Sequence, residues 1–108
     1  MKKLTIIAIM LFATQSLMAW STSPVTKIDR IFVYPEFVVL AIENNTVADE
    51  GCASTNFVAF STIDSSGKSL YSAALTAHTT GGKVRFGHNG CLNWSGGVPE
   101  VYRIEMIK

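Results

Sequence analysis

Charge is scarce in this chain. Only 16% of its 108 residues are Asp, Glu, Lys or Arg, and the basic ones are scattered rather than clustered. A protein that lives on phosphate contacts needs a concentrated basic surface to release counterions, so nucleic acid is excluded as a partner. Cysteine is limited to two residues, Cys52 and Cys91, and their spacing to His78 and His88 matches no zinc signature. The chain has no phosphate-cradling glycine loop, no serine nucleophile elbow and no internal repeat. Glu36, Glu43 and the pair Asp49-Glu50 show no arrangement that would mark a hydrolase, because an acid and base pair is set by spatial distance. No cofactor and no metal is expected, and no enzyme.

Long apolar runs are also missing, with one exception at the start. The stretch "MKKLTIIAIMLFATQSLMA" joins two lysines to an apolar run from Leu4 to Ala13 and a small residue at Ala19. That is the anatomy of a secretory signal peptide cleaved after about Ala19, and its apolar part is too short to cross a bilayer. Residues 1–19 are therefore expected to be a signal peptide and residues 20–108 one small domain. The full chain has nine basic residues; without Lys2 and Lys3, seven remain against eight acidic. The expected location is the periplasm or the exterior of a bacterial cell, with no membrane span after processing.

Export changes the reading of the cysteines. In an oxidising compartment the default for Cys52 and Cys91 is a disulfide. In the chain-entropy model, closing a loop of about 40 residues contributes roughly 4 kcal/mol.

The rest of the chain is β-rich. "VTKIDRIFVYPEFVVLAIENN" predicts two antiparallel strands, about 25–34 and 37–43, broken by the Pro35-Glu36 turn. "FVVLAI" is apolar on both faces, as in a covered sheet. Residues 44–54 read as a connection and 55–63 as a third strand. Leu70, Ala73, Ala74, Ala77 and His78 then recur at helical spacing, and Gly81-Gly82 supplies a stop, so a helix is expected over about 69–79. "KVRF" turns Val84 and Phe86 inward. "VYRIEMI" is expected to bury Tyr102, Ile104 and Met106 while Arg103 and Glu105 face water. The order is β-β-β-α-β-β, mainly β with one helix. A small OB-like Greek-key barrel has this order and binds ligands through a sheet face and nearby loops; other small α+β and β-sandwich arrangements share it.

At Leu70-Tyr71, Ala74-Leu75, Thr79-Thr80-Gly81 and Val84-Arg85, within "SLYSAALTAHTTGGKVRFG", the chain resembles the B subunits of pentameric bacterial toxins of the subtilase-cytotoxin kind. The likeness covers about residues 69–87. It implies a secreted OB-fold that assembles into a ring and binds glycans. It carries over no binding residue.

One loop remains for recognition. In "GCLNWSGGVPE", Trp94 offers an indole for stacking on a sugar, and Asn93 and Ser95 offer hydrogen bonds to hydroxyls. Asn93, Trp94 and Ser95 are therefore the candidate ligand-binding residues, against a reading in which Trp94 only closes the end of a small core. Asn93-Trp94-Ser95 also fits the glycosylation pattern, which is uncommon in bacteria. Phe32, Tyr34, Phe37 and Val39 read as core and sheet. In an ideal barrel of this order, the connection before the third strand lies opposite the one between the last two. The Cys52–Cys91 bridge and the barrel are thus in competition. The favoured function is an exported, non-enzymatic binding domain for glycans or another exported protein, with possible homo-oligomers. The alternative is a monomeric periplasmic protein that supports another exported protein through a strand edge.

Overall fold

The computed structural model describes residues 21–43, 51–53 and 56–108. The expected signal peptide and its cleavage site lie outside these residues. The described residues are mainly β with a single helix, in the order β1 (Ser21–Thr22), β2 (Thr26–Val33), β3 (Phe37–Ile42), β4 (Phe57–Ser61), α1 (Ser65–Thr80), β5 (Lys83–Leu92) and β6 (Val98–Ile107). β2, β3 and β4 form an antiparallel meander. β4 then pairs with β6 in parallel, β6 pairs with β5 antiparallel, and β5 returns to β2. The circuit of pairings is closed, which leaves few free edges. The two residues of β1 sit on β5 beyond the end of β2, with Ser23 donating its backbone N–H to the Phe86 carbonyl at 2.8 Å.

Alternation along the strands divides the apolar residues between two clusters. The inner one holds Ile28, Val38, Leu40, Ile42, Val58, Phe60, Val84, Phe86 and Val101, closed at one side by Ala74 and Ala77 of α1. These alanines let the helix backbone come close. The expected burial of Val84 and Phe86 is met, and both are fully buried.

The helix begins four residues before the predicted start. Ser65 to Lys68 read as loop residues, yet Asp64 caps the helix by accepting from the Gly67 N–H at 3.1 Å, satisfying one of the donors that a helix start leaves open. Gly67 fits inside the first turn because a side chain there would overlap the Ser61 carbonyl. At the other end Gly81 takes φ 71° and its N–H reaches the Ala77 and His78 carbonyls, the left-handed stop that glycine favours.

Two expectations need correction. Tyr102 and Met106 are exposed, at 42% and 46%, rather than buried. A register shift between Gly87 and His88 sets Arg103 opposite Gly87 and Val101 opposite His88, which leaves Tyr102 as an extra residue on β6. The simple inward and outward alternation is lost there.

The second correction concerns the bridge. Cys52 and Cys91 are joined, with Cα atoms 5.7 Å apart, and the barrel-like circuit accommodates them without conflict. β4 and β6 run in parallel, Ala59 beside Glu100, so the segment entering β4 and the loop entering β6 emerge at the same end. The supposed opposition of those two connections does not exist.

Candidate functional site

The second apolar cluster lies on the outward side of β2, β3 and β4. Register places Arg30, Ala41 and Phe57 in one row and Phe32, Val39, Ala59 and Glu100 in the next. Residues directly opposite in a ladder share a face. Val39 and Ala59 form a small, fully buried floor together with Val98, and Phe32, Tyr34, Phe37, Phe57, Leu92 and Trp94 pack around it. All five aromatic side chains are half-buried.

The rings touch one another in sequence. Trp94 stands edge-on to Phe57 at 5.3 Å between centroids, and lies 6.3 Å from Phe32 and 6.4 Å from Tyr34. Tyr34 stacks on Phe37 at 4.6 Å, across the turn closed by the Tyr34 N–H to the Phe37 carbonyl. Such pairs each add about 0.5–1.5 kcal/mol beyond the area they bury. A cation rims the platform on one side, where the Arg30 guanidinium lies 5.3 Å from the Phe32 centroid. Its ion pair with Asp29 is long, 3.8 Å, and exposed, so it leaves the guanidinium available.

An acid rims the other side. Glu100 is half-buried at the parallel seam, and burial pushes its carboxyl above the usual range. It faces a groove of about 190 Å³ lined also by Ser61, Asp64, Leu70 and Tyr102. Asp64 shows the opposite behaviour: a hydrogen bond from the Ser66 hydroxyl, then the Gly67 N–H, hold its carboxyl below the ordinary value. A hollow of about 280 Å³ at the start of β2 and β5 is lined by Val25, Thr26, Lys27, Glu43 and Lys83. It is open and mixes both signs of charge.

The loop that carries Trp94 is built to stay in place. Its Gly97 N–H returns to the Trp94 carbonyl at 2.8 Å, and Gly96 and Gly97 take φ 91° and 114°. Ser95 also adopts a left-handed φ, 50°, a conformation non-glycine residues hold only where the surroundings enforce it. The loop is tied to the segment next to the disulfide, where the Ala53 N–H donates to the Gly97 carbonyl at 3.0 Å.

The three sequence-predicted residues thus have different settings. Trp94 is half-buried and packs over the small cluster of Val39, Ala59 and Val98, while Asn93 and Ser95 are exposed beside it. Phe32, Tyr34, Phe37 and Val39, read as core and sheet, all belong to this second cluster, in which Val39 is fully buried. Arg30, Phe57 and Glu100 were not singled out; the two-residue spacing of Arg30, Phe32 and Tyr34 is the signal that relates the first of them to the rings. His78 lies at the helix end with Nδ1 3.2 Å from the Ile28 carbonyl, and His88 is buried on β5. Neither approaches a thiol, since both are in the bridge. Among the described residues no group of three His, Cys, Asp or Glu side chains could hold a metal ion. No family model, curated protein or solved structure matches the chain.

Proposed function

We propose that the protein is an exported, non-enzymatic binding domain of OB-like architecture that holds glycans on the outer face of β2, β3 and β4. The carrying observation is the half-buried aromatic platform of Phe32, Tyr34, Phe37, Phe57 and Trp94, held by a loop that the Cys52–Cys91 bridge ties down. Aromatic faces stack on the apolar side of a pyranose, while polar rim groups fix its orientation. Trp94 supplies the stacking surface, Asn93 and Ser95 orient hydroxyls, and Arg30 and Glu100 offer a donor and an acid at the two sides. A loop already ordered loses little entropy on binding. The likeness to toxin B subunits extends this reading to a ring, in which weak single sites gain avidity. The disulfide, and the absence among the described residues of a helix able to cross a membrane, are consistent with the periplasm or the exterior.

The test is a glycan array probed with the oxidised protein, beside Trp94→Ala. Retention of one class of glycan by the parent and its loss in the variant supports the proposal. An array without retention, together with recovery of a second exported protein in periplasmic cross-linking, favours the partner-protein reading. Sedimentation of the processed protein distinguishes ring from monomer.

A further inference from the structure

We propose that Asn89 is a spontaneous modification site: in the folded, oxidised protein its side chain closes on the nitrogen of Gly90 and converts to aspartate and isoaspartate. The two residues occupy a bulge. β5 faces β6 with His88 opposite Val101 and Cys91 opposite Pro99, so Asn89 and Gly90 together span the place of the single residue Glu100. Extra residues of this kind leave the ladder locally.

Gly90 is exposed and takes φ 74°, and a side chain built there would meet no atom within 4 Å. Gly90 itself has no side chain to crowd its backbone nitrogen. Asn89 is half-buried, and its carboxamide makes no hydrogen bond to another described residue. The same reaction is slower at Asn56 and Asn93, where the next residues are Phe57 and Trp94 and a bulky side chain hinders the attacking nitrogen.

The chemistry needs only water. The Gly90 nitrogen attacks Cγ of Asn89, forming a C–N bond. The Cγ–Nδ2 bond breaks, and ammonia leaves with the proton that the Gly90 nitrogen gives up. The five-membered imide then takes up one water. Opening at one carbonyl gives aspartate; opening at the other gives isoaspartate, whose backbone runs through the former side chain. No electron changes hands. Isoaspartate lengthens β5 beside Cys91, and the Gly90 carbonyl oxygen lies 3.7 Å from the Cys52 sulfur. Conversion therefore acts on the strut that holds the Trp94 loop and adds a negative charge opposite Glu100.

The experiment ages the oxidised protein in mildly alkaline buffer at physiological temperature. It then maps the tryptic peptide that runs from Phe86 to Arg103 by fragmentation that separates aspartate from isoaspartate. The expected result is conversion at Asn89 with Asn93 in the same peptide unchanged. Conversion is abolished in Asn89→Gln and slowed in Gly90→Ala. A urea-unfolded sample gives the rate of the free chain. An intact Asn89 in the folded protein, under conditions that convert it in the unfolded chain, would overturn the proposal. So would equal conversion at Asn93. The mass readout is independent of whether the outer face binds sugar.

Discussion

The inner core and the outer platform are both supplied by β3, and they differ in what closes them. Val38, Leu40 and Ile42 turn inward among aliphatic neighbours and the alanines of α1. Phe37, Val39 and Ala41 turn outward, where the covering layer is a ring of aromatic side chains and one loop. Inside, compact aliphatic groups fill a closed space to solid-like density. Outside, large rings are left half-covered, with an arginine and an acid beside them. Folding alone requires the first arrangement. The second, joined to a disulfide and a loop with left-handed backbone, leaves part of its aromatic surface open to solvent.

Substitutions in the two clusters should differ in what they cost. Phe86→Ala removes a fully buried ring from the inner cluster and should cost about 3–5 kcal/mol in thermal or denaturant unfolding. Removing the bridge with paired Cys52→Ala and Cys91→Ala frees a loop with a sequence separation of 39, at a cost of about 2–4 kcal/mol. It should also broaden the surroundings of Trp94 while leaving the inner methyl resonances in place. Trp94→Ala removes a half-buried ring and should cost about 1–2 kcal/mol, because part of its surface already meets water. A loss as large as that of Phe86→Ala would make the two clusters one core and erase the distinction.

The smallest effects concern protons. Asp64 has its folded-state pKa lowered, so its share of stability is fully present above its ordinary value of 3.8 and fades as pH falls below that. Asp64→Ala should lower the melting temperature slightly at neutral pH and flatten this acid limb. Glu100 has the opposite sign. Its folded pKa is raised above 4.5 by burial, so the folded protein holds the proton longer than the unfolded chain, and stability falls as pH rises through that window. Glu100→Gln should remove this slope and be neutral to slightly stabilising at pH 7, as followed by melting across a pH series.

Local chemistry made much of this architecture readable. The double-faced "FVVLAI", the alanine spacing before Gly81 and the inward Val84 and Phe86 follow from side-chain periods that do not depend on distant partners. The start of α1 was hidden because Ser65, Ser66 and Gly67 have loop chemistry, and only contact with Ser61 explains the glycine. β5 and β6 extend past their predicted ends into the glycine-rich ribbon, where pairing between the two strands overrides weak propensity. The agreement of the disulfide with the closed circuit depended on a parallel pairing between β4 and β6, a contact between residues far apart in the chain. The Trp94 loop stood out by composition. Its aromatic partners did not, because apolar residues on an outward face and on an inward face look alike until the register is fixed.

In the proposed function the outer aromatic face receives the ligand. Chemical-shift mapping of the oxidised protein with the glycan class selected on the array tests it most directly. The Trp94 indole N–H and the ring signals of Phe32, Tyr34, Phe37 and Phe57 should move together, with Phe86 and Phe60 still. Shifts confined to the outward residues of β5 and β6, such as Arg85, Tyr102 and Arg103, or no shifts at any aromatic ring, would contradict it.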